Sequence, residues 1–253
     1  MSVFLNSDRP IVTTMIQART YDEVIKAIKI GLDGNTDAFG LQFERLEGRY
    51  KTPELIKNIF KMMGEKPCYI TNYRYAENEG KTDKQLAEEL LKYHEYGATL
   101  IDVMGDLFRE NDMQIAKNQD DKKKIAEFVD RLHKNGAEVL ISSHTFKAIS
   151  IDETYEIAST QKEMGADVSK IVNSASNSEE LSNAYRISLR LKDDLKIPYL
   201  FLITGDLCRV HRRTAPFISN GMFLCAPYYD DISTPAQPLL PDAKQLVRLI
   251  SES

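Results

Sequence analysis

Short runs of β-branched and other apolar residues alternate along this chain with longer stretches whose apolar positions recur every three or four residues. The short runs fall at Ile11 to Ile16, Ala38 to Glu44, Pro67 to Arg74, Thr99 to Met104, Glu138 to His144, Val168 to Ala175, Tyr199 to Thr204 and Gly221 to Ala226. Each is a predicted strand. The longer stretches predict helices over Tyr21 to Leu32, Pro53 to Met63, Asp83 to Tyr96, Asp120 to Lys134, Ile151 to Met164, Ser178 to Asp194 and Asp242 to Ile250. Thr82-Asp83 and Ser176-Asn177-Ser178 supply N-cap chemistry, and Gly97, Gly136 and Gly165 stand where helices should stop. The polar, charge-dense segment from Phe108 to Lys124 reads as a loop leading into a helix. Strand-helix alternation with short connectors implies parallel strands joined by right-handed crossovers. Eight such units in 253 residues fit a closed (β/α)8 TIM barrel, a single domain over residues 1–253. An open doubly wound sheet is the other arrangement; it would usually bring a Gly-rich phosphate turn, and the chain has no GxGxxG or GxxxxGK.

Composition narrows the class. The net charge is -5 and the pI about 5.5, which argues against a nucleic-acid partner. No apolar run approaches the roughly 20 residues that cross a membrane, and the first ten residues lack the pattern of a signal peptide. The three cysteines, Cys68, Cys208 and Cys225, are widely spaced and form no CxxC pair. A disulfide framework or zinc site is therefore not expected, and a cytoplasmic location is. Of four histidines, His94 and His133 fall in predicted helices, which argues against a multi-histidine metal site.

Candidate chemistry enters with Lys170. It lies inside an apolar strand, where an ammonium is costly to bury unless it is paired or loses its proton. A neutral lysine is a nucleophile for carbonyl carbon. The preceding strand ends in His144, a candidate acid/base partner. Either residue alone has a structural reading, a lysine that snorkels to solvent or a histidine that is simply hydrogen bonded. Together they permit elimination of water, aldol cleavage or isomerisation, and the pair alone does not choose. In a barrel the site lies at the C-terminal strand ends. The polar residues expected there are Gln42, Glu44 and Arg45; Arg74, Glu77 and Glu79; Asp102 and Asp106; His144; Lys170 and Asn173; Asp206 and Arg209; and Asp230, Asp231, Ser233, Thr234 and Gln237. This mix suits a small, polar, anionic substrate.

At these positions the chain resembles a known family. Ser142-Ser143-His144-Thr145-Phe146 looks like the histidine motif of the type I 3-dehydroquinate dehydratases. Gly165-Ala166-Asp167-Val168-Ser169-Lys170-Ile171 looks like the segment carrying their Schiff-base lysine. Thr204-Gly205-Asp206-Leu207-Cys208-Arg209 is similar to their Thr-Gly-x-x-Ser-Arg, and Ser233-Thr234-Pro235-Ala236-Gln237 to their closing Ser-x-Pro-Gly-Gln loop. Arg74 through Gly80 resembles Arg-x-x-x-Glu-Gly with one extra residue.

The resemblance implies a homodimeric lyase without metal or organic cofactor that dehydrates 3-dehydroquinate, a small keto acid. Lys170 would form the imine, His144 would be the general acid/base, and Glu79, or Glu77 in its place, would orient His144. Arg209, Ser233, Gln237, Arg74, Glu44 and Gln42 would contact substrate. The chain also departs from the pattern. Strand two reads Gln42-Phe43-Glu44-Arg45 where the family has Glu-x-Arg. If Gln42 and Glu44 face inward, strand alternation turns Arg45 away unless a bulge re-aims it. Strand four is longer and ends in a second acid, Asp106. Cys208 replaces a serine, and an apparent insertion after Arg209 makes Arg212 a second candidate for the substrate carboxylate. Two other functions stay open: an imine-forming lyase or aldolase acting on a different cyclic or sugar-like keto acid, and a non-catalytic binding barrel.

Overall fold

All eight predicted strands form in the computed structural model of the chain, which describes residues 2–251. They are β1 (Ile11–Ile16), β2 (Ala38–Gln42), β3 (Cys68–Thr71), β4 (Leu100–Met104), β5 (Glu138–His144), β6 (Val168–Ser174), β7 (Tyr199–Thr204) and β8 (Met222–Cys225). They belong to one sheet in the order β7-β6-β5-β4-β3-β2-β1-β8, so strands consecutive in the chain are neighbours. Pairing is parallel for β1–β2, β2–β3, β3–β4, β5–β6 and β6–β7. The helices are α1 (Tyr21–Asp33), α2 (Pro53–Met62), α3 (Asp83–Tyr96), α4 (Gln119–Lys134), α5 (Ile151–Glu163), α6 (Ser178–Arg190), α7 (Cys208–Thr214), α8 (Pro216–Ser219) and α9 (Leu240–Ser251). This is the (β/α)8 TIM-barrel class that the alternation predicts.

The caps follow the sequence. Thr20, Thr82 and Ser150 close capping boxes with Glu23, Gln85 and Glu153, satisfying backbone donors at both ends of each box. Asn177 caps α6. By packing, the chain divides into two compact units. One is Val103–Phe223 with the segment up to Ile11; the other is Val12–Asp102 with the chain from Leu224. The strands of each unit are almost wholly buried, as expected of parallel strands covered by helices, and β5 and β6 carry polar residues among the apolar ones.

Three differences from the sequence reading matter for the site. β2 ends at Gln42, and Phe43–Arg45 coil into a 3-10 turn. The cause is packing: Phe43 is fully buried and stacks on Tyr93 with ring centres 3.9 Å apart. β3 stops at Thr71, three residues before Arg74. The stretch after β7, unassigned from sequence, forms α7 and α8. The turn into α7 passes through Gly205 (φ +93°), where a Cβ would stand 2.6 Å from the Ala175 carbonyl oxygen, so only glycine fits.

Candidate active site

In the first unit, Lys170 occupies the third position of β6, flanked by Ser142 of β5 and Leu200 of β7, and is 5% exposed. Its neighbours in sequence turn to the opposite face, where α5 holds them. Gln161 of α5, fully buried, accepts from Ser169 Oγ at 2.6 Å and donates to the Lys170 carbonyl at 3.0 Å and to Ser143 Oγ at 2.9 Å. One amide thus ties β5, through the Ser143 hydroxyl, to β6, through the Ser169 hydroxyl and the Lys170 carbonyl, on the helix side of the lysine. Asn173 lies on that same helix side. Its amide donates to Thr154 and accepts from Thr145, and it lines a cavity of about 340 Å3 beside α5 and α6. Alternation therefore removes Asn173 from the face that carries Lys170.

His144 closes β5, two residues beyond the register partner of Lys170. The surrounding protein, then the positive charges of Lys170 and Arg212, hold its pKa well below the usual histidine range. Part of its surface stays accessible. Its Nδ1 lies 2.9 Å from Gln114 Oε1, and its backbone N–H donates to the same oxygen at 3.0 Å. The Phe146 ring stacks 5.8 Å away, on a residue with φ +50° that is 60% exposed. At neutral pH this histidine is an uncharged base.

α7 sorts the two arginine candidates. Arg209 is exposed at its start. Arg212, one turn later, comes back to β7 and donates from Nε to the Ile203 carbonyl at 2.9 Å. Burial lowers the pKa of its guanidinium, and its charge acts on His144. The geometry leaves Arg212 half-buried against β7 and Arg209 exposed.

The second unit carries carboxylates. Glu44, in the turn after β2, is fully buried and accepts from Thr71 Oγ1 at 2.9 Å and from the Tyr75 hydroxyl at 3.1 Å. Asp102, near the middle of β4, accepts from the hydroxyls of Tyr69 and Tyr73. Desolvation and these carboxylates push the Tyr69 and Tyr75 hydroxyls well above their ordinary pKa, so both remain donors. The 3-10 turn also settles strand two. Arg45 is not turned away from Gln42: its Nε donates to Gln42 Oε1 at 2.9 Å, Gln17 donates to the same oxygen at 2.9 Å, and the guanidinium lies over Tyr75. The turn re-aims Arg45 in the way a bulge would.

Arg74 is paired with Asp83 at 2.7 Å, at the start of α3. Glu77 and Glu79 are exposed in the turn between β3 and α3. The Gln114 side chain lies against His144 Nδ1. In the loop after β8, the Ser233 hydroxyl accepts from the backbone of Asp230 at 2.7 Å. Gln237 is 5% exposed, and its Oε1 is buried without a hydrogen-bond partner among the described residues. Sequence reasoning missed Gln114, Asp102's tyrosines and the half-buried Lys51, whose pKa burial and Lys81 bring down to about 8. Gln114 carries no charge and sits in the polar 108–124 loop, so nothing in its local pattern marks it.

Among the described residues no three His, Cys, Asp or Glu side chains converge as metal ligands would, and no helix is long and apolar enough to cross a membrane. The sequence pattern of the Type I 3-dehydroquinases matches residues 12–253. A 3-dehydroquinate dehydratase of Alkaliphilus oremlandii (strain OhILAs) is 30% identical over 132 residues, about half the length of either chain. The 3-dehydroquinate dehydratase from Geobacillus kaustophilus HTA426 has a similar structure, with a TM-score of 0.81 at 13% identity over 98% of this chain and 93% of that one. So does the type I enzyme from Clostridium difficile, solved with covalently modified comenic acid, with a TM-score of 0.80 at 17% identity over 98% and 95% of the two chains. With its motifs in order and its family pattern matched almost end to end, the chain belongs to the Type I 3-dehydroquinase family.

Proposed function

We propose that the protein is a cofactor-independent lyase that dehydrates 3-dehydroquinate to 3-dehydroshikimate through a Schiff base on Lys170. The observation that carries this reading is the buried Lys170 on β6 with the neutral His144 at the end of neighbouring β5. Lys170 Nζ attacks the ketone carbon, and loss of water leaves a protonated imine. His144 Nε2 removes the proton from the adjacent carbon, and the electron pair moves into an enamine. Collapse of the enamine expels the hydroxyl one carbon further on, protonated by His144 as it leaves. Hydrolysis of the conjugated imine frees the product and restores Lys170.

The substrate carboxylate pairs with Arg212, with Arg209 as the alternative from the motif alone. Gln237, through its unpartnered amide oxygen, and Ser233, Arg74, Gln42 and Glu44 complete recognition, and Glu79, or Glu77 in its place, is the family motif's candidate carboxylate for orienting His144. The enzyme acts as a cytoplasmic homodimer, in aromatic biosynthesis or quinate breakdown, which share this reaction. A second reading, elimination or aldol cleavage of another hydroxylated keto acid, is favoured by the buried Glu44 in a strand-two segment that departs from the family's.

Incubation with 3-dehydroquinate and borohydride tests the reading. Intact-mass measurement should show one ligand-sized addition, absent from Lys170→Ala. An adduct with a different keto acid only would select the second reading, and no adduct with any ketone would overturn both.

A further inference from the structure

We infer that Gln114 is a positioning residue that locks His144 in the tautomer whose Nε2 holds the free electron pair. The assignment follows from hydrogen-bond logic. A backbone N–H can only donate, so the Gln114 atom 3.0 Å from the His144 amide nitrogen is the carbonyl oxygen Oε1, and the side chain cannot be flipped. The same oxygen lies 2.9 Å from His144 Nδ1, so Nδ1 must bear the ring proton. A neutral imidazole has one N–H, which leaves Nε2 as the base.

The loop after β4 is built to hold that amide. Gln114 has φ +46°, an uncommon conformation for a non-glycine residue. Its backbone N–H donates to the Asn111 carbonyl at 3.0 Å, and its carbonyl accepts from Ser143 Oγ at 2.7 Å. Asn111 in turn donates to the Ile115 carbonyl and takes the Met113 N–H. Gly105 supplies the space beneath. A Cβ there would stand 2.6 Å from the Gln114 carbonyl oxygen, while the Gly105 N–H donates to Ser142 at 2.8 Å and its carbonyl accepts from Ala116 at 2.7 Å. The loop is thereby fixed to the strand that ends in His144.

An amide in this place differs from a carboxylate in one respect. Both accept the Nδ1 proton, but only a carboxylate also favours the imidazolium by its charge. Two cations, Lys170 from β6 and Arg212 from α7, act on His144 and disfavour its charged form. Gln114 thus orients the ring without raising its proton affinity. The bond persists through the cycle, because Nδ1 keeps its proton whether Nε2 is free or protonated. The catalytic consequence rests on the role proposed for His144; the tautomer does not.

The test uses 15N-histidine-labelled protein and long-range 1H–15N spectra at neutral pH. His144, identified by its loss in His144→Ala, should show a protonated Nδ1 and an unprotonated Nε2. Gln114→Leu should move it toward the other tautomer or tautomer averaging. It should lower kcat on the order of 10^2-fold while borohydride trapping still labels Lys170. Gln114→Glu keeps the acceptor, so it should keep the wild-type tautomer, and it should move the acid limb of the kcat/KM profile to higher pH. A protonated Nε2 in the wild type, or spectra unchanged in folded Gln114→Leu, would overturn the inference. Absence of any trapped adduct alongside the expected spectra would overturn the proposed reaction and leave the tautomer lock standing.

Discussion

The two compact units bury different sets of ionisable groups. The first buries Lys170 and His211, half-buries Arg212 and His144, and keeps both histidines neutral by burial and by neighbouring cations; its two buried carboxylates, Asp106 and Asp121, are tied to the Asn111 backbone and to Arg109. The second holds carboxylates, Glu44 and Asp102, each surrounded by hydroxyl donors from threonine or tyrosine. A carboxylate saturated with donors is a fixed acceptor, suited to recognising substrate and poorly suited to taking protons. An uncharged imidazole beside cations keeps its lone pair and can take one. On the proposed reading Lys170 and His144, both of the first unit, carry the chemistry.

The comparison breaks most readily at Lys170. Lys170→Ala should lower kcat/KM on the order of 10^4-fold or more and abolish reductive trapping, as expected for loss of a covalent nucleophile. Retained turnover would move the chemistry elsewhere. His144→Ala should lower kcat by about 10^2- to 10^4-fold and still form the adduct; normal steady-state rates would remove its acid/base role.

The neutral histidines also make a stability prediction. His211 sits between Tyr185 and Phe201 with Nδ1 buried and without a hydrogen-bond partner among the described residues, and burial lowers its pKa from 6.5 to about 4. The unfolded chain binds its proton first as pH falls. Its contribution is therefore complete above about pH 6.5 and lost by about pH 4, a change of about 3 kcal/mol, with His144 acting in the same direction. Urea denaturation across that window should show the slope, and His211→Phe should flatten it. An equal slope in the variant would assign the acid sensitivity to other groups.

Smaller effects sharpen the division. Arg212→Met should raise KM for the keto acid by roughly 30-fold or more, the worth of a charge-assisted contact, whereas exposed Arg209→Ala should change it little. The reverse result would restore the arginine that the family motif singles out. Tyr73→Phe removes a hydroxyl donor from buried Asp102 and should cost about 1 to 2 kcal/mol in thermal stability, with trapping of Lys170 unaffected. Loss of trapping in that variant would tie the carboxylates to the chemistry after all.

Much of this was legible in the chain. β-branched runs and helical spacing located every strand, and the ordered motifs singled out Lys170 and His144. What the sequence hid were contacts made by residues without pattern. Period-two alternation carried past Gln42 turned Arg45 the wrong way, because nothing local announces that Phe43 will leave the strand to stack on Tyr93, fifty residues on. Arg212 could be distinguished from Arg209 only once α7 existed to bring it back to β7. Gln114 depends on a loop whose shape is set by Gly105 and Asn111, several residues away.

The 105–116 loop also bears on ionic strength. An ion pair holding His144 would weaken as salt accumulates around it, but a hydrogen bond to an uncharged amide has no such atmosphere to screen. Orientation of the base should therefore hold from dilute buffer to molar salt. Any loss of rate along that range falls to steps that carry net charge, which on the proposed reading include the encounter of an anionic substrate with Arg212.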